Sequence, residues 1–443
     1  MSVQPVVQYA SRTDVGMRRS TNQDSLTVRL CQSGDEWVLC GHLFVVADGM
    51  GGHAVGDLAS RITVETLPLA FTKAQAETIA ERLTVAIEAA NRAINDKARE
   101  NPEFSDMGTT CSVLSLSAEG AWIGHVGDSR VYRIRGGVTE QLTCDHSLQW
   151  EMIRHSQATP AKAESLHPAN VITRCLGPDQ NVLIDIEGPF DVRCGDRFLL
   201  CSDGLTGHVS DTEIGAVVSQ LSAAEASRLL VDLANCRGGA DNTTVVIAIV
   251  DDYPPILSET VETSKQRSES PEAVSDATIM KRSGWSRLSL RLFALLSLSG
   301  LVLLTAGYRE FGLILVSVAV LQGIVRLIVS SGRRFQGSPP EARPVEGSAV
   351  TAESGRIAAH PPYRKSSAAL KQEFLEQLAA AQGKLTEAAR NNGWELDFDQ
   401  LARLNQHAVT AAGKNEAAGS LRARARALQL LMKAFTSQAR ARG

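Results

Sequence analysis

At 443 residues the chain is too long for one compact core, so two or more units are expected. A net charge of −4 with 21% charged residues excludes the basic footprint of a nucleic-acid-binding protein at the level of the whole chain. All eight cysteines lie between Cys31 and Cys236, none in a C-x-x-C pair and none preceded by a secretory signal. Reduced, mostly buried thiols of a cytosolic domain are therefore expected rather than disulfides or a zinc site.

In chain order, residues 1–252 alternate short apolar runs with amphipathic helical stretches at about Val55 to Phe71 and Ala76 to Glu100, and close on the apolar run Thr244 to Val250. Residues 253–286 turn to Ser, Glu, Thr, Lys and Pro, the composition of a disordered linker. Leu288 to Tyr308 and Phe311 to Ser331 are apolar segments of 21 residues each. As helices each would reach about 31 Å, enough to cross a hydrocarbon core. Lys281, Arg282 and Arg287 precede the pair and Arg333 and Arg334 follow it. Residues 287–331 are thus expected to form a transmembrane helical hairpin with both flanks in the cytosol. The alternatives are a buried helical pair and a re-entrant hairpin. A second linker occupies 332–365.

Residues 366–443 show helical spacing at Leu370, Phe374 and Leu378 and again at Leu421, Ala425, Leu428, Met432 and Phe435. Trp394 and Phe398 read as core residues of this segment. Eleven Lys/Arg stand against seven Asp/Glu from Ser366 onward, with Arg422, Arg424 and Arg426 close together. A small helical bundle with a solvated basic face is expected. A protein partner or an anionic lipid surface is the sharper reading.

The chemistry lies in the first 250 residues. An apolar run of strand length ends at Asp48-Gly49, another at Asp203-Gly204 and a third at Asp128. Asp241 begins a fourth run, and Asp24 comes just before the β-prone stretch Leu26 to Leu30. A single Asp at a strand end is ordinarily a turn residue. Five are different: if the strands lie side by side, the carboxylates converge on one rim of a sheet. That donor set suits hard divalent cations with octahedral geometry, Mg²⁺ or Mn²⁺. Gly49 and Gly204 would let the backbone bend, and the Gly49 carbonyl could face a metal. No His pair has ligand spacing. The glycine-rich run Gly49 to Gly56 lacks the Lys-Ser/Thr ending of a P-loop.

The ordered set Arg19-Ser-Thr-Asn22-Gln23-Asp24, Ala47-Asp48-Gly49-Met50-Gly51-Gly52-His53, Met107-Gly108-Thr109-Thr110, Gly127-Asp128-Ser129-Arg130, Asp145-His146-Ser147, Ser202-Asp203-Gly204-Leu205 and Gly239-Ala240-Asp241-Asn242-Thr243 resembles the bacterial metal-dependent protein phosphatases (PPM, type 2C) over about residues 4–252. The resemblance implies an α+β fold of two packed antiparallel β-sheets flanked by helix pairs, an αββα sandwich. Two Mn²⁺ or Mg²⁺ ions with a weaker third are implied as cofactors. Asp48 would bridge two metals, with the Gly49 carbonyl on one and Asp241 on the other. Asp203 would complete the second metal's shell and, with Asp128, form the weaker third site, while Asp24 would act mainly through metal-bound waters. Arg19 fits the phosphate-binding arginine, and Arg18 a surface residue. A metal-activated bridging water would attack phosphorus in line, so no cysteine nucleophile is needed, and no C-x₅-R signature is present.

Two positions depart from the family pattern. Gln23 stands where many relatives have Glu. Met50 follows Asp48-Gly49 where eukaryotic members place a candidate general-acid His, leaving His53 or a metal-bound water for that role, with water favoured.

The expected function is a membrane-tethered serine/threonine phosphatase at the cell membrane, multi-pass, with the phosphatase domain and C-terminal segment in the cytoplasm. Its partners would be phosphorylated proteins, kinases or their substrates. The alternatives are a catalytically inactive phosphoprotein-binding module, disfavoured because Asp48, Asp203 and Asp241 are all present, and a protein whose main function resides in the C-terminal helices.

Overall fold

The computed structural model describes residues 6–51, 55–155, 162, 171–252 and 358–442. Two compact units are separated, Met1–Glu259 with Thr351–Gly443, and Thr260–Val350; the latter lies outside the described residues.

Twelve strands build two antiparallel sheets among the described residues. The first runs in the order β1 (Val6–Asp14), β11 (Thr243–Asp252), β10 (Arg197–Cys201), β7 (Arg130–Arg135), β8 (Val138–Gln141), β12 (Arg364–Ser367). The second runs β2 (Asp24–Arg29), β3 (His42–Met50), β5 (Cys111–Ser117), β6 (Gly120–Val126), β9 (Asp185–Phe190), with β4 (Gly108–Thr109) paired to the far end of β3.

The central strands are apolar without interruption because both of their faces are covered. In β11, Val246, Ala248 and Val250 face Phe44, Val46, Leu114 and Ile123 of the opposing sheet. The alternate residues Val245, Ile247 and Ile249 pack instead under helices. In β3 the same alternation sends Leu43 and Val45 toward helices α2 (Val55–Lys73) and α3 (Ile79–Glu100). A Thr78/Glu81 capping box starts α3, giving side-chain partners to its end amides at the surface. On the other face lie α6 (Asp211–Gln220) and α7 (Ala223–Cys236). Three short helices sit among the loops: α1 (Gly34–Leu39), α4 (Leu148–Arg154) and α5 (Asp203–Thr206). The αββα sandwich is thus present.

Two expectations are corrected. Among the described residues no helix is long and apolar enough to cross a membrane. The hairpin expected at 287–331 lies outside those residues, so the transmembrane element of the fold and the multi-pass cell-membrane localisation are without support and are withdrawn. Both rested on the length of two apolar runs, and an apolar run specifies a span only where it is helical over that length.

The C-terminal segment, secondly, is neither all-α nor a separate bundle. Its first element, β12, extends the first sheet beyond β8, and helices α8 (Gln372–Asn391), α9 (Phe398–Gly413) and α10 (Ala417–Arg442) follow. Phe374, Leu378, Leu421, Leu428 and Met432 join the core formed by α6, α7 and the first sheet. Trp394 and Phe398 contribute to a smaller cluster among the C-terminal helices, as their sequence context suggests. The basic face is partly engaged: Arg422 and Arg426 both bind Glu225 of α7 at 3.2 Å.

Candidate metal centre

Topology brings the expected aspartates together. Asp24 opens β2 directly opposite Asp48 in β3. Asp203 follows β10, and Asp241 precedes β11 in the other sheet. Asp128 occupies the turn between β6 and β7, where the chain crosses from one sheet to the other. The five carboxylates therefore come to the same end of both sheets.

Hydrogen bonds between the sheets fix that end. The Ser202 hydroxyl donates to Asp24 Oδ2 at 2.7 Å and accepts from the Thr244 amide at 2.9 Å. The Asn242 side chain accepts from the Gln23 amide at 2.8 Å and donates to the carbonyls of Val15 and Thr21. Thr110 Oγ1 accepts from the Asp48 amide at 2.9 Å and shares a 2.8 Å hydrogen bond with Ser129. Ser202, Asn242 and Thr110 were legible only as members of the quoted motifs; no role was readable for them.

The glycines serve a purpose other than the bend expected of them. Gly49 stays within β3, paired with Thr109, and a Cβ there would lie 2.1 Å from the carbonyl oxygen of Gly56. A Cβ on Gly204 would lie 2.0 Å from that of Asn242. Both are glycine because another backbone passes too close for a side chain.

The carboxylates share one electrostatic field. Burial pushes the Asp24 carboxyl up to about 7, against hydrogen bonds from Thr244 and Ser202 that pull it down, with Asp203 and Asp241 adding repulsion. Asp48 is held well above the ordinary range by burial and then by Asp24, Asp203, Asp128 and Asp241. Asp128 is raised by burial, Asp203 and Asp145 against the pull of Arg130. Asp203 is raised by burial and Asp241, eased by a hydrogen bond with Asp48. Such mutual elevation is the behaviour of like charges forced into one site.

The donor chemistry fits hard divalent cations. Asp24 Oδ1 and Asp128 Oδ1 are both buried with no hydrogen-bond partner, a state that a cation would relieve. As placed, however, no three Asp, Glu, His or Cys side chains among the described residues form a ready coordination set. Asp241 forms a 2.8 Å ion pair with Arg19. Arg19 is half exposed within that ion pair, at the solvent side of the rim, while its neighbour Arg18 is exposed at the surface. His53 lies outside the described residues.

Comparisons with known proteins agree with this geometry. The protein phosphatase 2C family profile matches residues 17–232. Protein phosphatase PhpP of Streptococcus pneumoniae is 36% identical over 244 residues, 54% of this chain and 96% of that protein. The serine/threonine protein phosphatase PstP of Mycobacterium tuberculosis is 34% identical over 262 residues, 58% of this chain and 48% of PstP, so the chain spans about half the length of that relative. The solved serine/threonine phosphatase of S. agalactiae superposes with a TM-score of 0.50 at 33% identity, covering 55% of this chain and 100% of that one. With a sandwich of this topology, a rim of coupled aspartates and near-complete coverage of PhpP, the chain belongs to the protein phosphatase 2C family of metal-dependent phosphatases.

Proposed function

We propose that the chain hydrolyses phosphoserine and phosphothreonine in proteins, using Mn²⁺ or Mg²⁺. The observation that carries this reading is the rim itself: five aspartates brought to one end of both sheets, two with buried partnerless oxygens, beside a half-exposed arginine. Asp48, Asp203 and Asp241 would hold two cations with the Gly49 carbonyl, Asp128 would help hold a weaker third, and Asp24 would act through waters. What such ions supply when bound is a water of lowered pKa and neutralisation of phosphoryl charge. The chain's own residues do the rest. Arg19 offers a forked donor to the phosphate once Asp241 is otherwise engaged. Ser202 and Asn242 keep the two sheets, and hence the two halves of the ligand set, in register. Met50 has no proton to give to the leaving oxygen, so His53 or a metal-bound water would serve, with water favoured.

The test is turnover of a phosphothreonine peptide by the full chain with Mn²⁺, with Mg²⁺ and in chelator. Activity lost in chelator and restored by metal is expected, and chelator-resistant turnover would sink the two-metal account. Binding of the phosphopeptide without turnover would replace the enzyme by a phosphoprotein-binding module.

A further inference from the structure

The helix nearest the Asp145-His146-Ser147 loop is held by its own domain through the Leu148 amide on the Val171 carbonyl at 2.9 Å, Thr173 on Glu151 at 2.7 Å and Arg130 at 5.8 Å from the Trp150 ring centre, and the C-terminal segment adds to these contacts. Among the seven residues of α4 only Trp150 is buried. The cluster around Trp150 contains Cys144 and one residue from far along the chain, Tyr363. Arg364, the first residue of β12, places its guanidinium carbon 4.3 Å from the centre of the Trp150 ring, a cation–π distance.

Both tail residues are themselves fixed. The Tyr363 amide donates to the Gln141 carbonyl at 2.8 Å, and its hydroxyl to Glu187 Oε1 at 2.6 Å. Arg364 pairs with Gln141 across the ladder between β12 and β8. On its other side α4 is tied directly to the candidate centre. Ser147 caps it, its hydroxyl accepting from the Trp150 amide. The preceding residue, His146, donates its amide to the Gly127 carbonyl at 2.7 Å and accepts from the Gly127 amide through Nδ1 at 3.0 Å. Gly127 is the residue before Asp128. Asp145 meanwhile receives three hydrogen bonds from Arg130, two residues beyond Asp128. A chain of direct contacts thus runs from Arg364 through Trp150 and the 145–147 loop to both sides of Asp128. The family match ends at residue 232, so the tail end of this path lies outside the matched segment.

We propose that Arg364 is a positioning residue: the C-terminal segment acts in cis as part of the active-site scaffold, docking Trp150 so that the 145–147 loop holds Asp128 in place. This deepens the phosphatase reading and rests on it for its catalytic consequence. Tyr363 supplies the apolar cover of the same ring, and β12 supplies the rigid mount. The contact is directional, since a cation over the ring face attracts where an uncharged side chain of similar length would not.

The test compares the full chain with Arg364→Ala and Arg364→Lys, each first shown to be folded by circular dichroism. Backbone hydrogen exchange is read at residues 145–154, with β3 and β5 as internal references. In Arg364→Ala these amides should exchange about three- to tenfold faster, the range a partly desolvated cation–π contact is worth, and in Arg364→Lys close to the wild-type rate. With a phosphothreonine peptide, Arg364→Ala should lower kcat severalfold and raise the Mn²⁺ concentration for half-maximal rate, leaving KM nearly unchanged. The Lys variant should recover most of the kcat. Unchanged exchange at 145–154 in Arg364→Ala overturns the proposal. So does faster exchange with wild-type kcat and metal requirement, or a Lys variant as impaired as the Ala one. Should the wild type turn over no phosphopeptide under any metal, the proposed function fails, while the exchange comparison still decides whether Arg364 holds the loop.

Discussion

Replacing Asp24 by Asn should stabilise the metal-free protein while weakening its response to metal. Asp24 is 6% exposed, its Oδ1 has no partner, and its carboxyl is pushed from 3.8 to about 7. A folded-state pKa raised in this way means that the folded chain holds a proton which the unfolded chain has already released. The penalty is absent below pH 3.8, grows from there, and is complete above pH 7. A shift of this size corresponds to about 4 kcal/mol at the ceiling. Because Asp203 and Asp241 share the field, about 1–4 kcal/mol is the expected gain for Asp24→Asn in chelator at pH 8. The Ser202 hydroxyl can still donate to the amide oxygen of Asn, so no hydrogen bond need be lost. The assay is urea unfolding of both proteins in chelator at pH 8 and pH 5, repeated with Mn²⁺. The advantage of the variant should shrink as the pH falls. Mn²⁺, acting by preferential binding to the folded state, should stabilise the wild type more. A variant no more stable than wild type in chelator at pH 8 would refute the electrostatic account of the rim.

Further outcomes follow from other parts of the molecule. Gly204→Ala drives a Cβ into the Asn242 carbonyl, so it should lower stability by about 1–3 kcal/mol, read as a fall in the urea midpoint; a neutral result would refute steric exclusion as the reason for glycine at this position. His125 is buried, its Nε2 bonded to the Cys144 carbonyl and its Nδ1 to Ser112, and burial followed by His146 lowers its pKa from 6.5 to about 3. Its neutral form is therefore favoured in the folded state, so the stability it contributes is present above pH 6.5 and lost as pH falls from there toward 3. His125→Gln should flatten that part of the stability profile between pH 7 and 4, and an unchanged slope would count against it. Leu428→Ala in α10 should destabilise by about 2–5 kcal/mol within one cooperative transition, since Leu428 shares a core with α7; two separable transitions would contradict that shared core.

What the sequence disclosed about the rim, and what it did not, has a physical basis. Aspartates at the ends of apolar runs are visible because strands that are buried on both faces cannot carry a carboxylate within the run. Asp48 and Asp203 stand out against Leu43 to Ala47 and Phe198 to Cys201, all of them buried. The pairing of Asp24 with Asp48 was not visible, since register depends on which strand becomes the neighbour. The reason for glycine at 49 and 204 was misread for the same cause: the Gly56 and Asn242 carbonyls that exclude a side chain come from distant positions. Helix bounds were close, with Val55–Lys73 and Ile79–Glu100 observed, because a 3.6-residue period is a local property.

The C-terminal segment marks where local pattern stops being informative. Its apolar spacing correctly indicated amphipathic helices, yet an amphipathic face states only that something must cover it. Here the cover is the phosphatase core itself, through Phe374, Leu378, Leu428 and Met432. The strand β12 carries no apolar alternation at all; Arg364 and Lys365 read as the end of the linker and Ser366 and Ser367 as the start of the helical segment. Its pairing is earned by main-chain hydrogen bonds to β8, by Lys365 against Glu140 at 3.0 Å, and by the Arg364 contact with Trp150. A polar strand that closes a sheet edge is favoured where an apolar one would invite association with other chains, so the feature that hid β12 in the sequence suits the position it occupies.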